Sequence, residues 1–130
     1  MKRPPLANAE LAVMNLLWDQ ENMTARQIRE ELYPDEKKAQ HGTVQRLLQR
    51  LEDKGYIARD RSLSIHFFSA AIDRKSYGGS QLESLASRLT GGAVAPLITH
   101  LVEKNKLSRD DISELRAILD QGPGGESEDD

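Results

Sequence analysis

The segment "TVQRLLQRLEDKG", residues 43–55, sets two arginines and two glutamines on the face that its apolar residues leave free. Val44, Leu47, Leu48 and Leu51 recur at spacings of three and four, which is one side of a helix. Thr43, Arg46 and Arg50 share a second side, and Gln45 and Gln49 form the adjoining row. Guanidinium and primary amide groups can each make two hydrogen bonds to one planar edge. This is recognition chemistry, and nothing in the segment makes or breaks a covalent bond.

The rest of the chain supplies no catalytic set. There is no cysteine, which removes thiol nucleophiles, disulfides and thiolate metal sites together. His41, His66 and His100 fall on different elements without the spacing of a metal site, so each reads as structural or exposed. Gly91-Gly92 lacks the Lys and Ser/Thr of a phosphate-binding loop. No enzyme, no cofactor and no metal are expected. "MKRPPLANAE" has no apolar stretch of a secretory leader, and no run approaches a membrane span, so the expected location is the cytoplasm.

The formal net charge is −3, but it is unevenly placed. Residues 1–75 carry 13 Lys/Arg against 11 Asp/Glu, and residues 76–130 carry 5 against 10. Within 37–61 seven cations face three anions. A polyanion meets the local field, not the total.

The positioning elements follow from periodicity. Leu11, Met14, Leu17 and Trp18 give an apolar stripe for a first helix, with Asn8 as its N-cap. Thr24 and Gln27 have the spacing of a capping box for a second, which carries Ile28 and Leu32 and ends at Pro34. The third is the segment above, with Lys54 in a basic last turn and Gly55 as its C′ residue. The period then changes to two. Tyr56 and Ile57 open one strand, Ile65, Phe67 and Phe68 mark another, and "DRSLS" forms the tip. Three helices followed by a hairpin is the order of a winged helix-turn-helix. In that arrangement the third helix enters the major groove of DNA and the hairpin lies beside it. Of the exposed set Thr43, Gln45, Arg46, Gln49 and Arg50, the early residues point into the groove, Arg50 and Lys54 meet the backbone, and His41 is a candidate for a phosphate or a base. Arg59 and Arg61 fit phosphate contact and edge-strand protection equally well.

Gly78-Gly79 reads as a break, after which the chain is helical. Leu82, Leu85, Leu89, Val94, Leu97, Ile98, Leu101, Val102, Ile112, Leu115, Ile118 and Leu119 line two or three short helices, the last capped by Ser108 and Asp111. So short a segment cannot bury so much apolar surface alone, and a second copy is its natural cover. The expected architecture is mostly α with a small β wing: a winged-helix domain over 1–75, a helical dimerisation region over 76–121, and a disordered acidic tail over 122–130.

Three blocks together resemble the penicillinase-repressor family of bacterial transcription regulators: "LANAELAVMNLLWDQENMTARQIREEL", "TVQRLLQRLEDKGYIAR" and "LTGGAVAPLITHLVEKNKLSRDDISELRAILD". The resemblance implies a homodimeric repressor on a palindromic DNA operator. By position, Thr43, Gln45 and Arg46 fall where the family reads TACA/TGTA-type half-sites, flanked by His41 and Arg50. It also implies release by a membrane-bound sensor protease that cleaves early in the dimerisation region. Two departures stand out. "GSQLESLASRLTGG" lacks the Asn-Phe pair cut in the best-known members, and the chain lacks the cysteine cluster of the copper-responsive relatives. Two other uses of the same fold stay open. One is a regulator gated by a small molecule held between the C-terminal helices. The other is a winged helix used for protein contacts alone.

Overall fold

A computed structural model describes residues 3–35 and 40–121; the acidic tail and the Lys37-Lys38 pair lie outside them. Its elements run α1 (Asn8–Asp19), α2 (Ala25–Leu32), α3 (His41–Asp53), β1 (Ile57–Asp60), β2 (Phe67–Ala70), α4 (Arg74–Thr90), α5 (Ala95–Glu103) and α6 (Arg109–Asp120). Two compact units divide at Gly79, Met1–Gly79 and Ser80–Asp130.

In the first unit, one core takes a residue set from every element. Val13, Met14 and Leu17 come from α1, Ile28 from α2, and Val44, Leu47, Leu48 and Leu51 from α3. Tyr56, Ile57 and Phe68 close it from the hairpin, and Met23 from the turn before α2. The α3 stripe is buried as the spacing requires. In α1 the fully buried apolar side chains are Val13 and Met14, while Leu11 and Trp18 are half-buried.

The strands pair antiparallel with Ile57 opposite Ala70 and Arg59 opposite Phe68. The other edge of β2 is also occupied: Phe68 N–H donates to the Met23 carbonyl at 2.8 Å, and Met23 N–H to the Phe68 carbonyl at 3.1 Å. The wing is thereby tied to the chain that enters α2. Phe68 is buried and Phe67 half-buried, as adjacent strand residues facing opposite ways must be. Ile65, expected in the strand, sits in the tip and is 61% exposed.

Local signals hold at most ends. Thr24 Oγ1 accepts from Gln27 N–H at 3.2 Å, and Gln27 Oε1 from Thr24 N–H at 2.9 Å. The α3 C-terminus closes as a Schellman motif, with Tyr56 N–H on the Leu51 carbonyl and Gly55 N–H on that of Glu52. Gly55 has φ +84°, the left-handed conformation that motif needs.

Two ends differ from expectation. Asn8 is the first helical residue of α1 and Ala7 holds the cap position. Alanine offers no acceptor, and the Glu10 carboxylate instead takes Ala7 N–H at 2.8 Å. Gly78-Gly79 does not interrupt the helix but lies inside α4, where the two units divide. That helix starts on Asp73, whose carboxylate accepts Ser76 N–H at 2.7 Å. Tyr77 anchors its first turns between Trp18 and Tyr56, with ring centroids 5.9 and 5.8 Å away. Anchored flanks outweigh the ~1 kcal/mol that each glycine costs a helix.

Among the described residues of this unit, Glu10 is the buried charge, 1% exposed. Lys54 Nζ donates to both its oxygens, at 2.8 and 3.0 Å, and reaches the Pro5 carbonyl at 3.3 Å. Arg3 Nε donates to the Gly55 carbonyl, and the Tyr56 hydroxyl donates to that of Pro4. The N-terminal arm is strapped across the end of α3.

In the second unit, α6 is capped by Ser108 and Asp111 reciprocally, at 3.0 and 3.2 Å. Among its described residues, Ala86 alone is buried. Leu89 and Leu119 are about two-thirds exposed.

Burial pushes the Glu10 carboxyl up, but the Lys54 hydrogen bond, the Ala7 amide and the charges of Lys54 and Arg50 outweigh it, and the net shift is downward. Its contribution to stability is therefore complete above the ordinary glutamate range and lost as pH falls through the depressed value. Lys54→Met should cost roughly 3 kcal/mol by stranding a buried carboxylate. That cost should be largest near neutral pH and shrink as pH falls, because burial without Lys54 pushes the Glu10 carboxyl up and its protonation relieves the stranded charge, as read by urea titrations across a pH series. Gly55→Ala should cost about 1–2 kcal/mol in the same assay. An added Cβ there meets nothing closer than Arg3 Nε at 3.6 Å, so backbone strain is the cause.

Candidate nucleic-acid interface

The packing of α3 decides which of its side chains face outward. With Val44, Leu47, Leu48 and Leu51 in the core, His41, Arg46, Gln49 and Arg50 are exposed, and Thr43 and Gln45 half-exposed. Their partners lie on the same helix. Gln45 Nε2 is 3.3 Å from His41 Nε2, Arg46 Nη2 donates to Thr43 Oγ1 at 3.4 Å, and Gln49 Nε2 donates to Asp53 Oδ1 at 3.0 Å. The first two contacts are long and all three are exposed, so they are readily exchanged for those of a ligand. The Arg50 side chain has no hydrogen bond or ion pair among the described residues.

The other predicted cations are placed differently. Lys54 is spent on Glu10, so its charge is neutralised inside the fold. Arg59 is 12% exposed, with its guanidinium 4.7 Å from the Phe68 ring centroid. Its Nε lies 3.2 Å from Glu52 Oε1 without the alignment of a hydrogen bond. Arg61, half exposed, donates from Nη2 to Glu52 Oε2 at 3.1 Å. The sequence places these three on a basic surface; in the fold two of them hold it together. Charge pairing across a helix end or a hairpin leaves no periodic trace, and the role of Glu10 had no signal beyond its place three residues after the Ala7 cap.

A recess of about 380 Å³ lies where the N-termini of α2 and α3 meet the wing. His41 and Gln45 line it from α3, Thr24 from the α2 cap, and Arg59, Ile65, His66 and Phe68 from the hairpin. Two histidines that the sequence separates thus share one surface, while His100 is exposed on α5. No group of three metal-ligating side chains occurs among the described residues, and no helix there is long and apolar enough to cross a membrane.

The arrangement is a helix-turn-helix whose second helix presents Thr43, Gln45, Arg46, Gln49 and Arg50 beside a two-stranded wing. Several known proteins are similar to most of the chain. The methicillin resistance regulatory protein MecI of Staphylococcus aureus strain N315 is 29% identical over 116 residues, 89% of this chain and 94% of that protein. The penicillinase repressor of Staphylococcus aureus is 29% identical over 118 residues, and that of Bacillus licheniformis 26% over 120, each covering 93% of the relative and over nine-tenths of this chain. Among solved structures, the DNA-binding domain of the repressor BlaI aligns with a TM-score of 0.48 at 23% identity, over 58% of this chain and 92% of that domain. The family model for the penicillinase repressor matches residues 6–121. With nearly the whole described fold inside that match, the chain belongs to the penicillinase repressor family.

Proposed function

We propose that this protein is a DNA-binding transcriptional repressor that acts as a homodimer on a palindromic operator. The observation that carries the reading is the outer face of α3. Arg46 and Arg50 there have no carboxylate partner among the described residues, and they stand beside a wing fixed to the same core. Thr43, Gln45 and Arg46, in the first turns of α3, read base edges, since Arg pairs with guanine and Gln with adenine. Arg50 meets phosphate, and His41 lies at the flank.

The second unit supports the dimer. Its helices carry Leu82, Leu85, Leu89, Leu101, Val102, Leu115, Ile118 and Leu119 at 36–66% exposure, more exposed large apolar side chains than one copy can cover. Val94, Leu97, Ile98 and Ile112 are half-buried beside them. A single winged helix gains only ~1–3 kcal/mol of discrimination per good base contact. Joining two makes the second engagement intramolecular and raises avidity by ~10²–10⁴. Release then needs only the C-terminal pairing to be broken, with every DNA contact intact. Proteolysis by a membrane-bound sensor is one route that does so. A regulator of this class has no reaction to catalyse.

Titration of the purified chain against a TACA/TGTA-type palindrome and a scrambled duplex, at two salt concentrations, tests the reading. Preference for the palindrome of ~10³ or more, weakening as salt rises, is expected. Equal affinity for both duplexes would exclude operator recognition of that type. Arg46→Ala should weaken palindrome binding by about 1–3 kcal/mol and flatten the preference. Leu89→Glu combined with Ile118→Glu should shift sedimentation from dimer to monomer and lower operator affinity by ~10² or more, with the melting of the winged helix unchanged.

A further inference from the structure

We infer that Glu52 is a built-in counter-anion that limits how strongly the wing grips DNA, by occupying the Arg61 guanidinium that would otherwise meet phosphate. The inference rests on the DNA-binding reading above and adds a control to it.

Three observations support it. First, Glu52 stands where local physics disfavours it. It lies in the last turn of α3, where the helix carries partial negative charge and a cation is the stabilising choice. Asp53 follows directly, adding a second anion. A residue that breaks a local rule needs a tertiary reason.

Second, the Glu52 carboxylate is shared by two wing cations. Oε1 lies 3.2 Å from Arg59 Nε, and Arg61 Nη2 donates to Oε2 at 3.1 Å and to Oε1 at 3.4 Å. Third, the two cations differ in freedom. Arg59 is 12% exposed and packed on Phe68, whereas the Arg61 side chain is 55% exposed. Arg59 holds the hairpin against α3, and Arg61 is the half that can leave. An exposed ion pair is weak enough for phosphate to compete with it, which sets a ceiling of about fivefold on the restraint.

Restraint of this kind acts on every DNA sequence alike, because phosphate contacts carry no sequence information. It lowers binding to bulk DNA without touching the base-reading face of α3. Glu52 therefore raises the share of binding that depends on Thr43, Gln45 and Arg46.

The test uses the full chain, a short mixed-sequence duplex, and the variants Glu52→Gln, Arg61→Ala and the double variant, over a series of salt concentrations. Glu52→Gln should tighten binding by about two- to fivefold and steepen the plot of log K against log salt by about 0.9, the signature of one added phosphate contact. Arg61→Ala alone should change affinity by less than about twofold, and in the Glu52→Gln background it should abolish the gain. In the free protein, ¹⁵N relaxation at Arg61 Nε should report a more mobile side chain in Glu52→Gln than in wild type. Weaker or unchanged binding by a normally folded Glu52→Gln variant would overturn the inference, leaving Glu52 as a wing support only. An Arg61→Ala loss of the same size in both backgrounds would overturn it too. Absence of any duplex binding by wild type would refute the DNA-binding reading itself, and the relaxation comparison would still decide whether Glu52 holds Arg61.

Discussion

The buried Glu10–Lys54 pair is the contact on which the geometry of the first unit turns. It joins the first turn of α1 to the end of α3, and the same lysine holds the N-terminal arm through Pro5. A carboxylate this deep is tolerated only with its cation and its amide in place. The pair is therefore sensitive to small displacements of either helix, in a way that apolar packing is not. Arg3, donating to the Gly55 carbonyl, and Tyr56, donating to the Pro4 carbonyl, reinforce the same end. Because α3 is fixed at its C-terminal end and Phe68 is bonded to Met23, the outer face of α3 and the wing are set by one rigid core.

This rigidity sorts the basic side chains by purpose. A stripe of cations at similar spacing looks uniform along the chain, yet it separates into three groups in space. Lys54 and Arg59 hold elements together. Arg61 is shared between a carboxylate and solvent. Arg46 and Arg50 have only neutral neighbours within bonding distance or none, among the described residues. The field presented to a polyanion is accordingly smaller than the count of basic residues suggests, and it is concentrated on the part of α3 that carries the hydrogen-bonding groups able to read bases.

The second unit follows a different logic. Its helices are well formed by local rules, with Pro96 at the start of α5, Asn105 at φ +59° after its end, and the reciprocal cap of Ser108 and Asp111 on α6. Yet among its described residues it buries one alanine and leaves most of its leucines exposed. Good helix ends with an unburied apolar face describe a segment shaped for a partner, in keeping with the proposed dimer.

The sequence by itself determined the kind of each element, most of their ends and the family. Hydrophobic period, the Thr24–Gln27 and Ser108–Asp111 boxes and the glycine after α3 are encoded within a few residues, because helix and strand geometry repeat over that distance. Periodicity also named the outer face of α3 correctly, since the inner face is the apolar one. Only the tertiary structure decided which charges were free. Glu10 and Lys54 are separated by 44 positions, and Glu52 and Arg61 by nine across the start of the wing. Their meeting depends on loop closure and core packing, which leave no period to read. The same holds for Gly78-Gly79, where the clasp of Trp18, Tyr56 and Tyr77 overrides a weak local preference, and for Ile65, whose place in the tip follows from the Met23–Phe68 bridge and the strand register. Burial along one element is a local property, whereas the partner of a charge is a property of the whole fold.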